Sequence, residues 1–192
     1  MSEKLIRTFL SIPVPLMVRS KKQMLYSTLE QSPATINWVK DEQLHITLKF
    51  IGHTPENLFD EIKSLIIKVV SSIRPFKITI NNTGCFPVPE RPRILWLGVD
   101  GDLQSMKNLY MNIEKQMETI GFPLNDGEYF PHVTLARIKY PQKFTPDIST
   151  FLNSSYDPID FKVDRVQFLS SELLPTGTLY TLLGSFPLGE IL

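Results

Sequence analysis

The chain has 192 residues, 42% hydrophobic and 21% charged, with twenty basic side chains matched by twenty acidic ones. That balance describes a folded chain with enough apolar material for a substantial core, and it excludes a disordered segment. Zero net charge also excludes a protein that grips long nucleic acid by neutralising many phosphates, which needs a strongly basic face, so any nucleic-acid substrate is expected to be small or terminal.

In chain order, hydrophobic periodicity separates strands from helices. LIRTFLSI near the start reads as a strand, and a first helix is expected from Pro15 toward Glu30. LHITLKFI is a second strand; Thr54-Pro55 then supplies an N-cap and N1 pair for a helix whose stripe is Leu58, Ile62, Leu65, Ile66, Val69 and Ile73. FKITIN and RILWLGV follow as strands. A third helix opens at Asp102, carries Leu103, Met106, Tyr110, Ile113, Met117 and Ile120 on one stripe, and stops at Gly121. FPHVTLARI is the next strand, a short fourth helix follows Thr145-Pro146, and FKVDRVQFLS and TLYTLLGSF close the chain as strands. Strands adjacent in sequence, with helices to one side, predict an α+β protein rather than a doubly wound parallel sheet.

One tetrad occurs twice: HITL at residues 45–48 and HVTL at residues 132–135, in a chain with three histidines. At residue frequencies of roughly 5–10% each, coincidence is on the order of one in 10⁵. The separation, 132 minus 45 or 87 residues, is close to half the chain, which predicts two similar lobes that each contribute one strand to a shared feature. Side chains alternate along a strand, so His45 and Thr47 share one face, as do His132 and Thr134. Ile46, Leu48 and Phe50, and in the other strand Val133 and Leu135, are expected on the opposite, core-facing side. Strict alternation puts Lys49 on the front beside His45 and sends Arg137 to the back.

Two imidazoles and two hydroxyls around a small void form a chemical kit. Histidines near neutral pKa serve as paired general base and general acid, and threonine hydroxyls donate to charge on phosphoryl oxygens. Phosphate ester cleavage is the reaction this kit suits. Other chemistries lack their parts: there is no G-x-S-x-G elbow, no glycine-rich ATP loop, and His-x-Thr supplies only one good metal ligand per motif, so neither metal nor cofactor is expected. The single cysteine, Cys85, excludes an internal disulfide. The N-terminal stretch has too short an apolar run for a signal peptide, and nowhere do eighteen apolar residues follow one another. A cytoplasmic protein with no membrane partner is therefore expected.

HITLKFIG and PHVTLARI resemble the paired signatures of the two-histidine phosphoesterases, specifically the RNA 2′,3′-cyclic phosphodiesterases, also called 2′-5′ RNA ligase-like proteins. IRTFLSIPVP, INWVKDEQLHITLKFIG, RPRILWLGVD, FPHVTLAR and SELLPTGTLYTLLGSFPL are similar to segments of that family in the same order and span essentially the whole chain. The resemblance implies a single domain over residues 1–192, bilobal and pseudo-two-fold symmetric, with two mainly antiparallel sheets, flanking helices and a central cleft. It further implies metal-free hydrolysis of RNA or nucleoside 2′,3′-cyclic phosphate ends to 2′-phosphomonoesters, with reversible 2′-5′ RNA joining as a secondary activity. Carried over by residue, His45 and His132 are the catalytic pair, Thr47 and Thr134 hold phosphate, and Arg137 adds a phosphate contact if a bulge re-aims it. His132 is assigned as base and His45 as acid. RNA ends or small cyclic nucleotides are the expected substrate, and a monomer without an obligatory protein partner is the default.

Other residues have plainer expectations. His53 is expected in a solvated turn, and Trp38, Phe9 and Tyr180 are able to stack on a nucleobase but are expected to pack in the core. Arg91, Arg93, Lys139 and Lys143 are read as scattered solvated charge. Two rival readings stay open: a non-catalytic nucleotide- or phosphate-binding module using the same cleft, and a structural protein whose paired strands merely pack.

Overall fold

The computed structural model describes residues 5–175 and 177–189. Among these residues nine strands form one hydrogen-bonded, antiparallel sheet: β1 (Leu5–Pro13), β2 (Ile36–Trp38), β3 (His45–Pro55), β4 (Phe76–Phe86), β5 (Ile94–Gly101), β6 (His132–Ile138), β7 (Ile159–Val163), β8 (Arg165–Leu174) and β9 (Gly177–Pro187). Four α-helices among the described residues accompany them: α1 (Met17–Ser27), α2 (Phe59–Val70), α3 (Leu103–Glu118) and the single turn α4 (Ser149–Leu152). This is the α+β arrangement expected, except that the two expected sheets are joined into one through the β3–β6 contact.

Strand order is β7-β4-β5-β6-β3-β1-β8-β9, with β2 also on β6. It divides into two four-stranded halves, each with its His-x-Thr strand on the inner edge. The halves exchange chain: β4 follows β3 and α2 yet pairs with β5, and β8 follows β6 and β7 yet pairs with β1. Between β3 and β6 the ladder is a single residue pair, Ile46 with Val133.

The core lies on the helix side. Ile46, Leu48, Val133 and Leu135 are buried there, with Ile62, Ile66 and Val69 of α2, Met106, Leu109, Ile113 and Met117 of α3, and Val18 and Leu25 of α1. Each such side chain contributes about 1.5–3 kcal/mol by leaving water. The helix termini follow from local chemistry. Asp102 caps α3 by accepting from the Ser105 amide at 2.9 Å. Gly121, at φ +89°, ends it, with the Phe122 amide reaching the Met117 carbonyl at 3.1 Å. Asp60 and Glu61 open α2 and Lys68 sits in its last turn, which suits the helix dipole.

Three local expectations need correction. Thr54-Pro55 does not cap a helix: β3 continues through it, paired with Leu5 and Ile6, and the Thr54 hydroxyl meets Thr8 Oγ1 at 2.6 Å. A 3-10 turn, Glu56–Leu58, then leads into α2. FKVDRVQFLS is two strands rather than one: β7 pairs with β4, and after Asp164 β8 pairs with β1 in the other half. Alternation breaks at that junction, where Asp164 and Arg165 are consecutive exposed residues between buried Val163 and Val166. The fourth helix begins at Ser149, where the Asp147 carboxylate accepts from the Ser149 amide at 2.9 Å, later than Thr145-Pro146 suggests.

Candidate active site

A β-bulge follows the threonine in both motif strands. Ser11 faces Thr47 and Leu10 faces Lys49, so Leu48 is the extra residue in β3; Trp96 faces Thr134 and Leu95 faces Ala136, so Leu135 is the extra residue in β6. One extra residue inverts the alternation beyond it. Lys49 therefore turns inward and is 1% exposed, not on the front as alternation suggests, and Phe50 turns outward and is 60% exposed, not in the core. In β6 the same inversion puts Ala136 inside and Arg137 on the exposed, cleft-facing side. Arg137 lies close enough for its charge to act on both histidines and on Tyr180.

The single Ile46–Val133 pair brings the motifs together. Antiparallel partners sit about 5 Å apart and each strand step adds about 3.3 Å, so the two histidine Cα atoms, one step to opposite sides of that pair, lie on the order of 8 Å apart. Thr47 and His132 line one cavity of about 380 Å³ with Phe50, Phe86 and Phe130. His45 lines another of about 200 Å³ with Ser11, Gln167 and Tyr180.

Both imidazoles are held alike. His45 Nδ1 donates to the Gln43 carbonyl at 2.7 Å, and His132 Nδ1 donates to the Phe130 carbonyl at 2.9 Å, each two residues back. A carbonyl can only accept, so in the neutral ring the proton sits on Nδ1 and Nε2 carries the lone pair. His45 Nε2 accepts from the Thr47 hydroxyl at 3.1 Å. Burial pushes both histidines below the ordinary imidazole range; the carbonyl bonds offset part of this, and the Arg137 charge adds to it. The free protein therefore keeps both rings largely neutral near pH 7.

Aromatic rings flank each histidine. Phe9 and Tyr180 lie 5.0 and 5.7 Å from His45, ring centre to ring centre, and Phe86, Phe130 and Trp96 lie 5.3, 6.2 and 6.4 Å from His132. Phe86, Phe130 and Trp96 were not legible as site residues, although Phe130 stands only two places before His132. Phe9 is buried, whereas Tyr180 is half-buried beside the cavity. Trp38 packs on Tyr26 at 5.3 Å. His53 is exposed but lies within β3, opposite Arg7, rather than in a turn. Arg91 and Arg93 lie over the Tyr140 ring at 4.9 and 6.0 Å.

A buried charged helix residue anchors the segment before each motif. Lys22 of α1 donates to the Val39 carbonyl at 2.7 Å and pairs with Asp41. Glu114 of α3 pairs with Lys49 at 2.8 Å and accepts from the Asn125 amide and side chain, each at 2.9 Å, while Lys49 also reaches the Pro123 carbonyl at 2.8 Å. Tyr129, in the same loop, donates to the Thr47 carbonyl at 3.0 Å. Among the described residues, no three His, Cys, Asp or Glu side chains are grouped as a metal would require. No helix among them is long and apolar enough to cross a membrane.

Antiparallel halves meeting at a cleft with one His-x-Thr strand on each side define a two-histidine phosphoesterase architecture. Residues 30–173 match the family model of the 2′-5′ RNA ligase superfamily, and the chain belongs to that superfamily. It is 32% identical to the RNA 2′,3′-cyclic phosphodiesterase of Thermotoga maritima over 93% of both chains. It is 30% identical to the protein of that name from Methanothermobacter thermautotrophicus, over 92% of this chain and 95% of the relative. Among solved structures it resembles a protein of Thermus thermophilus, with 26% identity, a TM-score of 0.75 and coverage of 96% and 98% of the two chains. Escherichia coli LigT complexed with 3′-AMP, 20% identical with a TM-score of 0.75 over 97% of this chain and 99% of LigT, shares the fold.

Proposed function

We propose that this chain hydrolyses 2′,3′-cyclic phosphate ends of RNA or nucleosides to 2′-phosphomonoesters, with His132 as base and His45 as acid. The observation that carries the reading is the duplicated mounting: two imidazoles fixed through Nδ1 by the carbonyl two residues back, leaving two Nε2 atoms for one phosphorus. The names of the relatives supply the substrate class.

In this mechanism water gives a proton to His132 Nε2 and attacks phosphorus, the P–O3′ bond breaks, and His45 Nε2–H protonates the departing oxygen. Among the described residues only His45 Nε2 is already engaged by a hydroxyl, which leaves His132 the freer lone pair. Protonating His45 ends its acceptance from Thr47, releasing the Thr47 hydroxyl to donate to phosphate. Thr134 and the fork of Arg137 hold the remaining phosphoryl oxygens. The incoming phosphate anion favours imidazolium on His45, opposing burial and Arg137. No metal takes part, reversible 2′-5′ RNA joining, in which a 5′-hydroxyl attacks the cyclic phosphate in place of water, is a secondary activity, and the protein works as a cytoplasmic monomer.

The test is an RNA carrying a 2′,3′-cyclic phosphate end, incubated with and without chelator, with the product identified. A 2′-phosphate in both samples is expected. A 3′-phosphate would reverse which oxygen departs, loss with chelator would implicate a metal, and tight binding without product would leave a binding module.

A further inference from the structure

Three buried side-chain polar atoms among the described residues lack a hydrogen-bond partner: Ser11 Oγ, Trp96 Nε1 and Tyr140 OH. Two of these residues stand directly across the strand from a motif threonine, Ser11 from Thr47 and Trp96 from Thr134. A hydroxyl removed from water without a replacement partner is destabilising, and such groups in folded proteins call for an explanation in function or in an unfilled contact.

Ser11 offers the more defined case. It is 1% exposed, sits on β1 between Thr47 and Gln167 of β8, and lines the cavity beside His45 with Gln167 and Tyr180. A hydroxyl, an amide and an aromatic ring together recognise the hydroxyls and edges of a nucleoside. The charged residues of the lining are Arg19, Asp41 and Glu42, and Asp41 is already paired with Lys22, so no cluster of cations marks this cavity for a second phosphate.

We propose that Ser11 is a substrate-contacting residue, its hydroxyl bonding the sugar–base edge of the terminal nucleoside seated in the cavity beside His45. This rests on the reading of His45 as the acid, because the departing O3′ and its nucleoside lie on the acid's side of phosphorus. The contact supplies the partner that Ser11 lacks in the free protein.

The experiment is Ser11→Ala, read on kcat/KM, on inhibition by inorganic phosphate and on Tm. Loss of one hydrogen bond should lower kcat/KM about 3- to 10-fold, chiefly through KM. A cyclic mononucleotide and an RNA oligonucleotide with the same end should suffer alike. Inhibition by inorganic phosphate should stay within about 2-fold, and Tm should hold or rise, since an unpaired buried hydroxyl has been removed. Unchanged kcat/KM overturns the assignment. So does a lowered Tm with phosphate affinity lost in parallel, the mark of a structural serine. Should the wild-type protein turn nothing over, the functional reading fails by itself. Binding of a nucleoside 2′-monophosphate to Ser11→Ala then decides the matter: a Kd about 3- to 10-fold weaker supports the contact, and an unchanged one removes it.

Discussion

His45 and His132 are mounted by the same bond to the carbonyl two residues back, but their strands part company after the bulge. In β3 the bulge turns Lys49 inward and Phe50 outward; in β6 it turns Ala136 inward and Arg137 outward. The backbone device is duplicated while the side chains delivered by it have specialised. One half puts a fixed charge over the cleft. The other puts an aromatic ring there and sends its cation into the core, where Glu114 and the Pro123 carbonyl compensate it. The surroundings differ to match, with a narrow polar cavity at His45 and a wider aromatic one at His132.

The largest expected effect tests whether the two histidines have different jobs. Replacing either with Ala should slow hydrolysis about 10²–10⁴-fold. A cyclic substrate with sulfur in place of O3′ needs no acid, so it should restore most of the rate to His45→Ala and little to His132→Ala. Equal rescue of both would erase the distinction between acid and base.

Next comes the inward cation. Lys49→Met strands the Glu114 carboxylate and should cost about 3–5 kcal/mol, seen as a fall in chemical-denaturation midpoint. Ala136→Ser, at the equivalent place in β6, tests whether that position tolerates any polarity, and about 1–3 kcal/mol is expected for its unpaired hydroxyl. A Lys49→Met protein as stable as wild type would show that the pair is dispensable.

Arg137→Ala should lower kcat about 10²–10³-fold, with Arg137→Lys recovering only part because an ammonium cannot form the fork. Phe50→Ala, its counterpart across the cleft, should leave kcat within about 10-fold and act on KM, by loss of roughly one stacking contact. Similar kcat losses in the two variants would contradict the specialisation.

The smallest effect is in pH. Both histidines are lowered in the free protein, chiefly by burial and further by the Arg137 charge, so the kcat/KM optimum should lie below 6.5. The kcat profile reports the complex and should shift upward, because bound phosphate favours imidazolium. Removing the Arg137 charge should raise both free-protein values. An alkaline limb of kcat/KM well above pH 7 would sink this electrostatic account.

The repeated tetrad carried much of the site's identity in plain sight, since histidine and threonine two apart share a strand face whatever else happens. The bulges were harder to see, because they are faults in pairing and alternation carries no mark of them. Arg137 did leave a trace: its back-facing position conflicted with its expected role. Aligning HITLKF with HVTLAR would have extended that conflict to Lys49 and Phe50. The aromatic wall of His132 includes Phe86, far away in sequence, and only the β4–β5–β6 pairing brings it there. β2 went unread as a strand because three residues are too few for periodicity. The α2 stripe was readable, as Ile62, Ile66 and Val69 are all buried, but its start was displaced by strand pairing that a cap motif does not reveal.

The meeting of β3 and β6 through one residue pair has a mechanical consequence. Cleft width is governed by apolar contact between Ile46 and Val133 and the helices beneath, with little help from backbone ladder, so the two walls can spread without unzipping a sheet. Amides at this seam should exchange deuterium sooner than those along the long β1–β3 ladder, and trimming Ile46 to Ala should loosen the grip on small cyclic substrates more than it perturbs either half.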